Sequence, residues 1–246
     1  MTQKQRTTYW LAIVDDIRRI FSGQLTYAAI WSSDSAWQDF GFWKELDYVG
    51  IDAYFPLTDK KDPTVGQLKE AWQRWIVQIE ARQATINKQI LLTEIGYRDI
   101  EGANISPGDW RSEGAENQHE QANCYEAALQ SFWGKPWLQG IFWWAWTPPQ
   151  ESRSPQGKLA ETTLRIWYSK PLIPEGTPND AVNALVAIQQ AESAISKAFR
   201  QNRTRELDIA ESMLTEAITA FGLGDFSRSE RLAGNATRTA EAVAVN

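Results

Sequence analysis

The chain has 246 residues and a net charge of −6, so its composition offers no basic surface of the kind that binds nucleic acid. It contains one cysteine, Cys124, and one histidine, His119, which excludes a disulfide framework and a zinc site built from these residue types. No apolar run is long enough to span a membrane. We therefore expect no metal, no cofactor, and neither a nucleic-acid nor a membrane partner. Cys124 is expected to be a small buried residue inside a helix, and His119 to lie at the surface or at the rim of a site.

Helices and short apolar strands alternate along the first two thirds of the chain. A first helix is predicted around Thr7 and ends before Ser22-Gly23, a typical helix stop. Later helices are predicted over 64–84, 117–132 and 158–168. Strands are predicted at Leu25–Trp31, Tyr48–Phe55, Gln89–Glu94 and Gly140–Trp146. This order predicts an α/β fold with a parallel sheet and helices outside it, and the strand over 89–92 is expected to be buried on both faces.

The composition changes after residue 170. All thirteen tryptophans and all seven tyrosines lie at or before Tyr168. Residues 171–178 form a proline-rich linker, and 179–246 are rich in alanine, glutamate, serine and threonine with apolar residues at helical spacing. We predict a first domain over 1–170, a linker over 171–178, and a tail domain over 179–246 of three helices in a hairpin or bundle. A spacer or docking module is the expected role of the tail.

Glu94 stands out because it ends an apolar strand. A carboxylate at the tip of a buried strand is costly to desolvate unless it has partners or a chemical task. In a barrel of alternating strands and helices, the carboxyl ends of the strands carry the catalytic residues. A strand-end hydrogen-bond network explains Glu94 as well, and the residue taken alone leaves both interpretations open.

Three segments carry a resemblance to a known family. "YVGIDAYFPL", "ILLTEIGYR" and "GIFWWAWTP" resemble, in order and spacing, the sixth, seventh and eighth strands of glycoside hydrolase family 113. That family contains retaining β-mannanases with (β/α)8 barrels. "SGQLTYAAIW" is similar to the family's fifth strand and "SPQGKLAETTLRIWY" to its closing helix. The resemblance runs from about Tyr9 to Tyr168 and implies a partial (β/α)8 TIM barrel, the C-terminal half, made of strands five to eight with their helices.

The resemblance implies a retaining glycoside hydrolase that acts on β-mannan or a related polysaccharide, with Glu94 as the nucleophile. Tyr54 is then expected to hydrogen-bond to Glu94 and orient it, and Asp52 to be a supporting hydrogen-bonding group deeper in the barrel. Aromatic rings stack on the apolar face of a sugar. The strand-end residues Trp31, Trp144 and Trp146 are therefore candidates for substrate binding, with Trp146 the first choice and Trp144 open between a sugar contact and the core.

The chain also departs from the family pattern. Retaining glycosidases need two carboxyl groups roughly 5–5.5 Å apart. The family's acid/base glutamate ends the fourth strand, before the helix that begins here near Thr7, so we expect that group to be missing and the chain alone to be inactive. The alternative is a non-catalytic truncated remnant or a carbohydrate-binding half-barrel.

Open sheet edges in a half-barrel predict self-association. No signal peptide is recognisable in the sequence, so we expect a cytoplasmic location for the chain as written. The location of the intact protein is left unknown, with export still possible.

Overall fold

The computed structural model describes residues 3–30, 40–169, 177–199 and 204–244. The chain divides into two compact units, Met1–Trp167 and Tyr168–Asn246, and each is described by itself. The domain boundary predicted at residue 170 lies close to this division. Of the predicted linker over 171–178, all but the last two residues lie outside the described part of the chain.

The first unit is built on a four-stranded parallel sheet in the order β1-β2-β3-β4. This arrangement confirms the predicted α/β fold with a parallel sheet. The elements in chain order are α1 (Gln3–Arg18), β1 (Ala28–Ile30), β2 (Val49–Asp52), α2 (Val65–Ile86), β3 (Ile90–Ile95), α3 (Gln118–Phe132), β4 (Leu138–Trp143) and α4 (Leu159–Tyr168).

The helices begin where their capping residues predict. The side chain of Thr64 accepts a hydrogen bond from the Gln67 amide, and the Gln67 side chain accepts one from the Thr64 amide, so a capping box opens α2. Asn117 caps α3 in the same way by accepting from the backbone of Glu120. At the other end of α2, Asn87 adopts the left-handed conformation, which stops the helix.

One face of the sheet carries the core of the unit. Ile51, Ile90 and Leu92 are fully buried and belong to one apolar cluster with the inner faces of α2 and α3. Trp72 of α2 is also fully buried there and meets Phe132 of α3 edge to face. Further tryptophans pack against this cluster, including Trp10, Trp75, Trp133 and Trp167.

The opposite face of the sheet is uncovered in the described part of the chain. Ile30, Phe142 and Trp146 are each more than half exposed, and Leu91 of β3 is partly exposed. The prediction that the strand over 89–92 is buried on both faces is therefore wrong. The helices of this unit cover one side only, so alternate side chains of β3 remain accessible.

The strands differ from the predicted ones at their ends. The second predicted strand runs to Phe55, but β2 ends at Asp52, because the Tyr54 amide donates to the Asp52 carbonyl in a turn. β4 begins two residues earlier than predicted and ends at Trp143. Strand ends are set by which neighbour supplies the next hydrogen bond, which local sequence does not record.

The second unit consists of the three predicted helices, α5 (Asn179–Phe199), α6 (Arg205–Gly222) and α7 (Phe226–Ala244). α7 packs against both other helices. Their fully buried contacts come mainly from alanines, including Ala191, Ala217 and Ala236. Small side chains allow helix axes to approach closely, so alanine is a suitable residue for this core. Within the described residues, no helix is both long and apolar enough to cross a membrane.

Candidate active site

Glu94 and Tyr54 meet at the carboxyl ends of two adjacent strands. The Tyr54 hydroxyl donates to Glu94 Oε2 at 2.7 Å, so the predicted hydrogen bond is confirmed. Burial raises the pKa of Tyr54, and the hydrogen bond to Glu94 raises it further. Tyr54 therefore stays protonated at neutral pH and remains a donor to the carboxylate.

A bulge in the pairing of β2 and β3 aims Glu94 at this point. Ile51 pairs with Leu92, but the next residue of β2, Asp52, pairs with Glu94, which leaves Thr93 as an extra residue. An inserted residue bends a strand and redirects its side chains. The strand-end position of Glu94 was visible in the sequence, whereas the register that brings it opposite Asp52 was not.

Asp52 lies beside Glu94 but has its own partner. Its Oδ1 accepts a hydrogen bond from Thr93 Oγ1 at 2.9 Å. Burial raises the pKa of Asp52, the hydrogen bond from Thr93 lowers it, and the charge of Glu94 raises it again. Asp52 is thus a hydrogen-bonded neighbour opposite Glu94 rather than a residue deeper on the strand, and its supporting role stays a prediction.

The backbone fixes the strand ends around these side chains. The Ala53 amide donates to the Glu94 carbonyl at 2.6 Å, and the Trp144 amide donates to the Ile95 carbonyl at 2.8 Å. Gly96 lies so close to β4 that an added Cβ would be 1.9 Å from the Trp144 carbonyl oxygen. The peptide bond between Trp144 and Ala145 is cis. Backbone hydrogen bonds therefore connect the end of β3 to the ends of both β2 and β4.

Arg153 is a charged neighbour of Tyr54 that the sequence did not reveal. Its guanidinium lies 5.5 Å from the centroid of the Tyr54 ring, and its Nη1 donates to the Pro107 carbonyl at 3.1 Å. Its positive charge lowers the pKa of Tyr54 against the stronger effect of burial. Arg153 lies in the loop after β4 without a motif around it, so no local signal connects it to a tyrosine 99 positions earlier in the chain.

A buried glutamate ties together two of the loops at this end of the sheet. Glu120 is fully buried, and its carboxylate accepts hydrogen bonds from the amides of Asp62 and Gly102 at 2.8 and 2.9 Å. It also accepts from the Asn104 side chain at 2.8 Å. Because a buried carboxylate is costly without donors, this set of bonds anchors the loop after β2 to the loop after β3.

A second buried contact ties the loop after β3 to the loop after β4. Lys158 Nζ and Asp99 Oδ2 form an almost fully buried ion pair at 2.8 Å. The Ser152 hydroxyl also donates to Asp99, and the Asp99 amide donates to the Ser152 carbonyl. The loops around Glu94 therefore form one connected rim rather than independent segments.

The tryptophans near the end of β4 point in alternate directions. Trp143 stacks on Tyr125 of α3 with ring centroids 4.3 Å apart, whereas Trp144 and Trp146 are exposed on the opposite face. Trp144 is 49% exposed and is thus not a core residue of the described unit, while its contact with a sugar stays a prediction. Trp146 is 57% exposed. Trp31 lies outside the described residues.

The remaining single residues behave as expected. Cys124 is fully buried in α3, and burial raises the pKa of its thiol, so it is an inert packing residue. His119 is exposed. Within the described ranges, no group of three histidine, cysteine, aspartate or glutamate side chains could hold a metal ion.

An open cavity of about 760 Å³ lies apart from Glu94, beside the loop after β2. Its walls include Lys60, Glu70 and Arg74. The Arg74 guanidinium is engaged by the carbonyls of Pro56 and Leu57, which it meets at 2.6 and 2.8 Å. The candidate active site is therefore placed at Tyr54 and Glu94, where the carboxyl groups of Asp52 and Glu94 are neighbours, and not at this cavity.

Comparison with known families decides what this arrangement belongs to. The family model described as Glycoside Hydrolase Family 113 matches residues 1–161, well over half of the chain. The chain belongs to glycoside hydrolase family 113. The resemblance predicted from the strand segments is thereby confirmed, and Glu94 and Tyr54 both lie within the matched region.

Solved structures of family 113 members resemble about two thirds of the chain. Two are described as GH113 β-1,4-mannanase, one of them a complex; each is 23% identical, with a TM-score of 0.58 over 68% of this chain and 52% of theirs. The GH113 β-mannanase AaManA from Alicyclobacillus acidocaldarius, in complex with ManMIm, is 22% identical with a TM-score of 0.54, over 65% of this chain and 50% of its own. The chain therefore spans about half the length of these family members. No match was found among curated proteins.

Proposed function

We propose that the chain carries the nucleophile half of the active site of a retaining glycoside hydrolase acting on β-mannan or a related polysaccharide. The observation that supports this most directly is the 2.7 Å hydrogen bond from Tyr54 to Glu94 at the mouth of the sheet, in a member of family 113. A phenol that donates to one oxygen of a carboxylate fixes the orientation of that carboxylate. Tyr54 therefore positions Glu94 at the carboxyl ends of the strands, as the role of nucleophile requires.

The proposed reaction uses Glu94 twice. One of its oxygens bonds to the anomeric carbon as the glycosidic C–O bond breaks, and the leaving oxygen takes a proton from a carboxylic acid. Water then attacks the anomeric carbon, loses its proton to the same acid/base group, and releases Glu94 as a carboxylate. Tyr54 binds Oε2 and leaves Oε1 available for the attack.

The acid/base group is proposed to come from a polypeptide segment outside these 246 residues. Asp52 is a poor substitute, because its carboxylate is already engaged by the Thr93 hydroxyl. A segment that continues the sheet would also cover the exposed side chains of Ile30 and Phe142. The length of the family 113 structures, of which this chain spans about half, supports the same proposal.

The exposed aromatic residues after β4 are proposed to hold the sugar. Trp146 follows the strand end next to Glu94 and presents its ring on the uncovered face, as does Trp144. Trp31, at the end of the β1 segment, is proposed for the same role. Stacking on these rings would orient the polysaccharide along the mouth of the sheet.

The test is complementation. The chain is co-expressed with the N-terminal half of a family 113 β-mannanase, and the release of reducing ends from β-mannan is measured. We expect negligible activity from the chain alone, activity from the pair, and a loss of at least about a thousandfold in Glu94→Gln. The matched control is Glu70→Gln, which changes an exposed glutamate of α2 and should leave the rate unchanged.

Two results would count against the proposal. Undiminished activity of the complemented Glu94→Gln variant would show that another group is the nucleophile. Binding of β-mannan by the pair without hydrolysis would instead favour the carbohydrate-binding half-barrel.

A further inference from the structure

Trp110 is the most exposed tryptophan in the described part of the chain. It lies in the long loop between β3 and α3, and 70% of its surface is accessible. Its large apolar ring faces water, whereas Trp72 is fully buried and Trp143 is stacked on a tyrosine. A ring this exposed contributes little to the stability of the fold.

The backbone beneath Trp110 is nevertheless firmly held. The Asp109 carboxylate accepts hydrogen bonds from the Arg111 amide at 2.9 Å and from the Ser112 hydroxyl at 3.1 Å. The same two bonds lower the pKa of Asp109 and keep it charged. The Arg98 guanidinium donates to the carbonyls of Trp110 and Ser112. A ring displayed on an ordered turn can bind a ligand without paying for the ordering of its loop.

This turn belongs to the loops that surround Glu94 at the carboxyl ends of the strands. A Cβ added to Gly108 would lie 3.2 Å from Tyr54 Cβ, so the loop packs directly on the tyrosine that binds Glu94. Arg153 joins the two again, with its guanidinium over the Tyr54 ring and a hydrogen bond to the Pro107 carbonyl. Since consecutive Cα atoms are about 3.8 Å apart, Trp110 Cα lies within about 8 Å of Gly108 Cα.

The ring of Trp110 has one face occupied. The Arg111 guanidinium lies 4.9 Å from the ring centroid. With 70% of the residue accessible, the other face is open to a flat apolar partner. The C–H face of a pyranose is such a partner, and its hydroxyl groups would remain in water at the ring edge.

We propose that Trp110 is a stacking platform for a pyranose unit of the polysaccharide, at a subsite removed along the polymer from the bond that Glu94 attacks. This inference rests on the proposed function, because it takes its ligand from that reaction. Such a platform makes binding depend on the length of the oligosaccharide. The proposed subsite predicts that a short sugar bound at Glu94 does not reach Trp110, whereas a longer one contacts both.

The experiment titrates the full chain with mannobiose and with mannohexaose by calorimetry. Wild type should bind the hexaose more tightly, and Trp110→Ala should weaken hexaose binding about two- to tenfold without changing biose binding. Trp110→Phe keeps an aromatic face and should restore part of the loss. Tyr9→Ala is the matched control, since Tyr9 is an aromatic residue that is 62% exposed on α1, an element that contributes no residue to the site around Glu94. Thermal melts of each variant check that it is folded.

Three results would overturn the inference. They are hexaose binding by Trp110→Ala equal to wild type, an equal loss in Tyr9→Ala, and no hexaose binding by wild type at all. None of them bears on the nucleophile, which complementation tests through Glu94→Gln. The complemented pair could hydrolyse mannan through Glu94 while Trp110→Ala binds mannohexaose as tightly as wild type. That result would support the proposed function and rule out the Trp110 subsite.

Discussion

Asp52 and Glu94 carry carboxyl groups on neighbouring strands, and the charge of Glu94 raises the pKa of Asp52. The bulge at Thr93 places them opposite each other in the register of β2 and β3. Glu94 has the Tyr54 hydroxyl as a donor, and Asp52 has only the Thr93 hydroxyl while burial and the charge of Glu94 oppose its ionisation. The cost of holding two close carboxylates therefore falls on Asp52.

That cost predicts a pH-dependent effect of Asp52→Asn. Because the pKa of Asp52 is raised by folding, its favourable contribution is complete below the ordinary value of about 3.9 and is lost as the pH rises through the folded value. Asparagine keeps an acceptor for Thr93 without the charge. Asp52→Asn should therefore be more stable than wild type at pH 7, by less than about 1 kcal/mol for this partly exposed group, and equal to it near pH 4.

Urea unfolding between pH 4 and 8 measures this difference. Asp59→Asn, at an exposed position in the loop after β2, is the control variant for removal of an aspartate charge. A stability difference between Asp52→Asn and wild type that stays constant across this range would contradict the assignment of the charge penalty to Asp52.

The backbones that follow β3 and β4 approach each other closely because the residue at the contact is a glycine, Gly96. Gly96 follows β3 directly, and its α-carbon faces the Trp144 carbonyl at the end of β4. The Trp144 amide bonds back to the Ile95 carbonyl at 2.8 Å, so neither backbone can withdraw without breaking the contact. The position of Glu94, two residues before Gly96, depends on this junction.

Gly96→Ala should therefore be strongly destabilising. The new Cβ would lie 1.9 Å from a backbone oxygen, and we expect a loss of about 3 kcal/mol or more in the free energy of unfolding. Gly66→Ala is the matched control. Its Cβ meets nothing nearer than Thr64 Oγ1 at 3.9 Å in the first turn of α2, and it should gain about 0.4–1 kcal/mol. Denaturant titration measures both, and a Gly96→Ala variant as stable as wild type would refute the packing described for this junction.

At the scale of the first unit, the sheet is covered on one side only. β1 and β4 each pair with one neighbour among the described strands, and the uncovered face presents Ile30, Phe142, Trp144 and Trp146. Open parallel edges and apolar side chains in water both favour association with another polypeptide. The same surface is the one that the proposed complementing segment would cover.

The isolated chain should consequently self-associate, and Phe142→Lys should reduce that association. A charge at a side chain that is 60% exposed on the open face opposes burial against a second copy. Val77→Lys is the matched control, because Val77 is 62% exposed on the outer surface of α2 and should leave association unchanged. Sedimentation velocity over a range of concentrations measures the effect. A concentration-independent monomer in the wild type would contradict the prediction.

Local pattern alone was enough to predict the helices, the four strands and the position of Glu94 at a strand end. The capping box at Thr64 and the helix stop before Ser22-Gly23 each depend on only a few neighbouring residues. The three helices of the tail likewise follow from the local spacing of apolar residues. Hydrophobic periodicity and capping act over one or two turns, so they can be read without knowing the fold. The strand segments also sufficed to predict the family, since they carry its spacing.

The tertiary structure decided how those parts meet. The extra residue at Thr93, the approach of Arg153 to Tyr54, and the burial of Glu120 beneath two loops all join residues far apart in the chain. The uncovered face of β3 was also mispredicted, because an apolar run does not say which side its neighbours cover. Register, loop docking and one-sided burial arise from contacts between distant segments, which become determined only when the strands pair and the helices pack.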